Sequence, residues 1–537
     1  MRVWKGHSRM SLLKNVGTIG GLTMVSRVFG FARDMLLARA LGAGGVADAW
    51  QLAFQLPNIF RRLFAEGAFS SAFVPLFNRR MATVGAEEGD ELAPARRFAE
   101  EVMAFLIPVL IVFGGLALIA MPWIARLFAN EGISGDPQIF DLAVLMARVA
   151  FPYLAFMSLA TLFAAILNSL GRFAAAAAAP ILLNLCMVVA LIIGMSQGSG
   201  EAAQRMTGLY LAIAVTVSGV LQLVWLWWYA RRAGFRMSPR LPRVTGGVKE
   251  LGILILPAVL GAGVYQVSRF IDLFFLSTLP DGSYTFLAMA DRLNQLPLGI
   301  IGIALGTAIL PSLSRHIATD EADSAQRLQS NAVELAMLLT VPAAVALYVT
   351  GSAFTRAFYI GGAFTLADAM TTGAVVSALV IGLPAYVLVK VLVPNYFARK
   401  DTKTPVYTAI ASLVLNVGLN FLLIPGMGVA GLALASSVSA WANSLLLYLI
   451  LAWRGQFRLT ARVWGRIARI ALASAAMGAV LWIAVPYGAD YYTAGGLERI
   501  GAVAALLAIG GAVYFALAAV LGVLDRETIT RLARREA

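Results

Sequence analysis

Ser26-Arg27-Val28-Phe29-Gly30-Phe31-Ala32-Arg33-Asp34 puts two arginines and an aspartate inside a stretch that is otherwise largely apolar from Val16 to Leu41. A charge at the centre of a bilayer costs roughly 2.5–3.5 kcal/mol on insertion scales. Ionisable residues kept at such a depth face a polar interior, where they bind or move something. The pattern recurs at Asp48, Arg61, Arg62 and Glu66, at Arg269, Asp272, Asp291 and Arg292, and at Lys390. The chain reads as a membrane transporter with a cationic interior.

Composition agrees. The 537 residues are 60% hydrophobic and only 13% charged, with a mean hydropathy of +0.80. Soluble domains carry about 25% charged residues. The basic residues Arg2, Lys5, Arg9 and Lys14 are not followed by a short apolar core with a small-residue cleavage site, so 1–13 is expected to be a retained cytoplasmic tail. The single Cys186 excludes an internal disulfide, and His7 and His316 fall in tails or loops. Metal catalysis and histidine acid–base chemistry therefore have almost no raw material. The net charge of +14 is spread by membrane side and not gathered on one domain, so no nucleic-acid partner is expected.

Apolar runs between polar or Gly/Pro-rich breaks divide the chain into about fourteen spans. An even number puts both termini on one side. The densest basic segments, Arg231-Arg232…Arg236…Arg240…Arg243…Lys249 and Arg454…Arg458…Arg462…Arg466, fall on that same side. The positive-inside rule makes it the cytoplasm. Trp123, Trp227, Trp228 and Trp453 sit near span ends, as an interfacial belt requires.

An internal repeat organises the spans. Gln55-Leu56-Pro57 recurs as Gln295-Leu296-Pro297, Ala72-Phe73-Val74-Pro75 as Ala308-Ile309-Leu310-Pro311, Arg126-Leu127-Phe128 as Arg356-Ala357-Phe358, and Asn168…Arg172 as Asn395…Arg399. The matches keep one order along the chain, which chance does not readily produce. Six spans per copy give both copies the same orientation, with a substrate cavity expected between two lobes. The expected fold is all-α and polytopic, about 14 transmembrane helices in two pseudo-symmetric six-helix lobes plus two C-terminal helices. The lobes are expected at 14–235 and 245–457, the extra helices at 463–525 and a second cytoplasmic tail at 526–537.

The interior charges admit functional and structural readings. Arg27 and Asp34 are seven apart and share a helix face, whereas Arg33 points about 100° away; a bend at Gly30 would bring both arginines to one cavity, and a buried Arg–Asp pair is the structural alternative. Pro57 should kink its helix just before Arg61. Arg62 and Glu66, four apart, suit an ion pair. Asp48 suits a helix cap or a cavity site. Arg269 and Asp272, three apart, suit an ion pair or a cation site, with the pair favoured. Arg148 and Lys390 are spare cations that can snorkel or pair. Interior cations outnumber carboxylates, and the guanidinium fork of Arg27, Arg33, Arg61 and Arg292 suits phosphate or pyrophosphate.

These residues resemble the MurJ/MviN lipid II flippases of the MOP transporter superfamily over essentially the whole chain. The most specific stretches are Ser26-Arg27…Gly30-Phe31-Ala32-Arg33-Asp34, Leu56-Pro57-Asn58…Arg61-Arg62…Glu66-Gly67-Ala68-Phe69, Asp291-Arg292-Leu293…Pro297 and Lys400-Asp401…Lys403-Thr404-Pro405. The resemblance implies that Arg33, Arg61 and Arg292 hold the lipid II pyrophosphate. It makes Arg27, Asp34, Asp48 and Glu66 cavity or gate positions, Asp272 an ion-site candidate, and the last two helices a lipid-tail groove. The implied activity is transfer of undecaprenyl-pyrophosphate-MurNAc-pentapeptide-GlcNAc from the cytoplasmic to the periplasmic leaflet of a bacterial inner membrane by alternating access, with no bond made or broken. No enzyme activity and no cofactor are expected; the membrane potential or a monovalent cation is the candidate coupling force. Expected partners are lipid II, membrane lipids, and cell-wall synthesis and division proteins. The alternatives are a flippase for another polyprenyl-linked saccharide or a MATE-like exporter. A membrane glycosyltransferase would need clustered carboxylates or histidines, which this chain lacks.

Overall fold

The computed structural model describes residues 9–64, 68–82 and 92–524. Among them the chain is almost wholly helical and contains no β-strand. It divides into two compact units, Met1–Tyr284 and Thr285–Ala537. Nine helical segments are long and apolar enough to cross a membrane among the described residues.

The first unit holds α1 (Arg9–Leu41), α2 (Gly45–Phe64), α3 (Ala68–Ala82), α4 (Ala93–Phe128), the single turn α5 (Glu131–Ser134), α6 (Pro137–Ala150), α7 (Tyr153–Ser169), α8 (Phe173–Ser196), α9 (Glu201–Arg232) and α10 (Gly246–Ser277). Local chemistry sets the boundaries. Asp136 accepts from the Gln138 amide at 2.8 Å and Pro137 follows it, an N-cap with proline at the first helical position. Pro152 lacks an amide hydrogen, and the helix breaks at Phe151–Pro152 between α6 and α7. α8 lies against both α1 and α9. Phe69, Phe73 and Phe77, four apart on α3, stack with centroids 5.4 Å apart, and Phe98 of α4 stacks on Phe73 at the same distance. Such contacts suit a membrane protein, in which dispersion replaces water exclusion as the force between helices.

The segment between α9 and α10 is tied down. Buried Glu100 of α4 accepts from the Ser238 amide at 2.7 Å and pairs with Arg240, while Glu101 accepts from the Thr245 hydroxyl at 2.8 Å. Arg79 and Arg80 of α3 both pair with Glu250 of α10. By packing, α10 therefore belongs with α3 and α4. The units are groupings by packing, whereas the lobes 14–235 and 245–457 are groupings by repeat.

α11 (Ser283–Pro297) begins at the end of the first unit and is followed by a π-helical turn at Leu298–Gly302. The second unit continues with α12 (Ile303–Ala318), α13 (Ala322–Tyr359), α14 (Leu366–Val380), α15 (Leu383–Ala398), α16 (Lys403–Trp453), α17 (Ala461–Tyr487) and α18 (Gly496–Val520). A capping box of Thr365 and Asp368 opens α14. Gly373 lets α14 approach α13 closely: a Cβ there would lie 2.8 Å from Ser352 Cα. α16 is two helices joined at Gly428, whose φ of 54° and ψ of −133° suit glycine alone. Asp401 ties its two ends together, accepting from the Thr404 amide at 3.0 Å, the Thr404 hydroxyl at 2.6 Å and Arg454 at 2.7 Å. Burial opposes the charge on Asp401, but these hydrogen bonds and the Arg454 cation outweigh it and hold the carboxyl down to about 2. Finally, α17 packs on α13 and α18.

Candidate functional site

The charges of α1 are satisfied within the first unit. Arg33 and Asp34 are both buried, at 6% and 5% exposure. Arg33 reaches Asp34 Oδ1 through Nε at 2.9 Å and through Nη2 at 2.6 Å. Its Nη1 donates to Asn184 Oδ1 on α8 at 3.0 Å. Asn184 in turn donates to the Ser26 carbonyl at 3.0 Å, so one amide ties α8 to two turns of α1. The buried Arg–Asp pair thus exists, but its arginine is Arg33. Helix faces would separate Arg33 from Asp34 only if side chains were rigid spokes; the long Arg33 side chain curls back over its neighbour. Arg27 is half-buried and has no hydrogen-bond or ion-pair partner among the described residues. α1 runs unbroken through Gly30, where a Cβ would lie 3.6 Å from Asn184.

On α2, Asn58 donates to the Phe54 carbonyl at 2.7 Å and accepts from Arg61 Nε at 3.2 Å, which fixes the guanidinium of half-buried Arg61. The side chain of Arg62 and all of Glu66 lie outside the described residues. Asp48 is fully buried in the first turn of α2. It accepts from Asn130 Nδ2 at 2.6 Å, and the same amide group lies 3.3 Å from the Pro280 carbonyl. Asn130 Oδ1 accepts from the Ile133 amide and caps α5. Asp48 therefore ties the start of α2 to the loops before α5 and α11 at one end of the first unit. On α10, Arg269 and Asp272 stand 4.0 Å apart, an ion pair at the limit of contact. Arg148 is exposed and donates to the Leu118 carbonyl at 3.1 Å.

In the second unit Arg292 is half-buried on α11, and its neighbour Asp291 accepts from Gln295 at 2.6 Å. Lys390 is exposed on α15. A furrow of about 220 Å³ runs between α13, α17 and α18, with Leu338, Pro342, Met477, Leu481, Gly510 and Gly511 in its walls. Gly511 leaves open space, with nothing within 4 Å of a Cβ, whereas a Cβ on Gly510 would lie 3.2 Å from Leu481. Gly478 instead permits close approach, since a Cβ on it would meet Val345 at 2.7 Å.

Three amides carry roles that the sequence did not give them: Asn184 and Asn130, and Asn58, which stood only within a family-like stretch. Each orients a charged residue that the sequence did single out. Their signal was present, since Asn184 interrupts the apolar run of α8 and an amide at that depth needs a partner.

Comparison with known proteins bears on this arrangement. The family model described as Lipid II flippase MurJ matches residues 37–500. The chain is 40% identical over 530 residues to a probable lipid II flippase MurJ of Rhizobium meliloti (strain 1021), covering 98% of this chain and 97% of that protein. It is 35% identical to the lipid II flippase MurJ of Burkholderia cenocepacia, covering 96% and 98%. Among solved structures, a lipid II flippase MurJ in an inward closed conformation has the same fold, with a TM-score of 0.75 at 23% identity over 94% of this chain and 98% of that one. An inward-facing multidrug resistance MATE family transporter of the MOP superfamily follows at 0.63 and 14% identity, covering 81% and 97%. Two-unit helical architecture, paired charges within apolar helices and a match along nearly the full length lead to one assignment: the chain belongs to the MurJ family of lipid II flippases.

Proposed function

We propose that the chain flips lipid II, carrying the undecaprenyl-pyrophosphate-linked disaccharide-pentapeptide from the cytoplasmic to the periplasmic leaflet of the bacterial inner membrane for cell-wall synthesis. Family membership over nearly the whole length is the observation that carries this reading. Transport proceeds by alternating access, through about fourteen spans with both termini cytoplasmic, and no covalent bond changes.

Arg33, Arg61 and Arg292 engage the pyrophosphate. The geometry that supports Arg33 is a guanidinium already making charge-assisted hydrogen bonds to oxygens, with Asp34 and Asn184 as the acceptors that a phosphate would replace. Asn58 presents Arg61 in the same manner. Arg27 is the spare cation of the cavity, and Asp34 releases Arg33 as substrate enters and recaptures it as substrate leaves. Asp48 and Glu66 serve the gate. Asp272 is the candidate ion site, with the membrane potential or a monovalent cation as the coupling force. The furrow beside α17 and α18 takes the polyprenyl tail, because each methylene kept out of water contributes ~0.8 kcal/mol and a C55-type chain does not follow its pyrophosphate into a basic cavity.

The test is translocation of lipid II by the purified protein in vesicles, beside complementation of a strain depleted of its own flippase. Arg33→Lys, Arg61→Lys and Arg292→Lys keep charge and lose the fork, so each should impair transport at normal protein level. Full activity of all three single alanine variants would remove the substrate assignment. Absence of lipid II transport by the wild-type protein would remove the function.

A further inference from the structure

A second polar site lies at the start of α17, built from none of the charged residues assigned to the pyrophosphate. Ala461, Arg462, Gly465, Arg466, Arg469 and Gly522 line a recess of about 240 Å³. Arg466 is its fixed floor: buried, 2.9 Å from Glu334 of α13, and donating to the Val523 carbonyl at 2.6 Å. The other two arginines are uncompensated. Arg462 is exposed and has no hydrogen-bond or ion-pair partner among the described residues, and Arg469 donates only to the Leu521 carbonyl, at 3.3 Å. The recess therefore presents two net positive charges and a set of unused guanidinium donors.

The recess is continuous in register with the apolar furrow. Arg462, Arg466 and Arg469 follow i, i+4, i+7 spacing, and the same stripe of α17 continues through Ala473 to Met477 and Leu481 in the furrow wall. On α13, Glu334 beside Arg466 is followed at four-residue steps by Leu338, Pro342 and Ala346. α18 runs antiparallel, with Gly522 and Leu521 beside the arginines and Gly510 beside Leu481. From Arg469 to Met477 is eight residues of α17, about 12 Å of rise. A headgroup region about 5–8 Å deep on each side of a ~30 Å hydrocarbon core puts acyl chain at that distance below a phosphate.

We propose that this recess binds the phosphate of an anionic phospholipid, with one acyl chain leaning toward the furrow. Guanidinium forks match phosphate oxygens, and two uncompensated cations match a charged headgroup better than a zwitterionic one. About 240 Å³ holds a phosphate and its glycerol, whereas even drug-sized ligands occupy roughly 300–1,000 Å³ and a disaccharide-pentapeptide needs more. On the proposed topology the recess opens at the cytoplasmic leaflet, where anionic lipid attracts basic residues.

Native mass spectrometry of the full-length protein in detergent tests this, with dioleoylphosphatidylglycerol, dioleoylphosphatidylcholine, inorganic phosphate and undecaprenyl pyrophosphate as separate probes. Phosphatidylglycerol should bind more tightly than phosphatidylcholine. Arg462→Gln and Arg469→Gln should each weaken it by about fivefold, and the double variant by about thirtyfold. Gly465→Leu should weaken it as well with all arginines in place, because Gly465 lines the recess, a Cβ on it meets nothing within 4 Å, and the larger side chain takes up space there. If the double variant fails to fold, Gly465→Leu decides alone. Unchanged phosphatidylglycerol affinity in a folded variant would overturn the proposal, as would equal affinity for the two phospholipids. So would displacement by inorganic phosphate at equal concentration, or a stronger loss of undecaprenyl pyrophosphate than of phosphatidylglycerol. Lipid II transport measured in parallel is a separate readout, so failure of this site leaves the flippase reading standing.

Discussion

Asp34→Asn tests the charge network of α1 most sharply. The substitution keeps the shape of the side chain and removes the charge that neutralises Arg33. Arg33 and Asp34 have side chains only 7% and 8% exposed, so little solvent is at hand to take over. Removing one partner of a buried pair costs about 3–5 kcal/mol, because the remaining charge stays buried. Asn184 still accepts from Nη1, and an asparagine oxygen at position 34 still accepts one neutral hydrogen bond, which places the expected loss at about 3 kcal/mol. That is about a hundredfold in the unfolding equilibrium. Adding Arg33→Gln removes the other charge and should recover most of the loss, since replacing both partners of a buried pair is often close to neutral. Transport should fail in both variants, because the guanidinium assigned to the pyrophosphate is either stranded or gone. The assay is resistance to unfolding in graded denaturing detergent, beside lipid II translocation in vesicles. Wild-type resistance of Asp34→Asn, or a double variant no more resistant than the single one, would refute the buried-pair reasoning.

Gly373→Ala should destabilise the second unit by ~1–3 kcal/mol, since its Cβ would sit 2.8 Å from backbone Cα of Ser352 and two helices must part; an unchanged thermal midpoint would show that the contact relaxes freely. Gly511→Leu meets nothing within 4 Å of its Cβ and should fold normally while filling the furrow. Photo-crosslinking from α18 to a tail-labelled polyprenyl lipid should then fall, and undiminished crosslinking would count against the tail groove. Asp401 titrates at about 2 when folded, below the ~3.9 of an unfolded aspartate, so the stability it contributes is complete above pH 4 and drains away as pH falls through 2. Asp401→Asn should flatten that part of the thermal-midpoint profile, and an unchanged slope would put the acid sensitivity elsewhere.

Much of the site was visible as chemistry out of place. Arg33, Arg61 and Asp48 stood out because a charge among apolar residues is costly wherever the helix ends up. The partners did not stand out, because an asparagine carries no such penalty and its role depends on what lies opposite. Asn184 is 151 residues from Arg33, and no local rule pairs them. Arg462 and Arg466 counted only as part of a basic segment and Arg469 drew no notice, since their recess forms when Gly522 and Glu334 of α13 come alongside.

Sequence alone determined that this chain lives in a membrane, that it is helical, and that a few charged residues stand among its apolar runs. Composition and periodicity suffice for that, because hydrocarbon rejects charge and unpaired backbone in every arrangement of helices. Tertiary structure decided which arginine holds Asp34, which amide secures Asp48, and where glycine opens a furrow instead of closing a contact. The ties from Asn130 to Asp48 and from Asn184 to Arg33 turn on distances of 2.6 and 3.0 Å between segments far apart in the chain, and such distances exist only once the helices have packed.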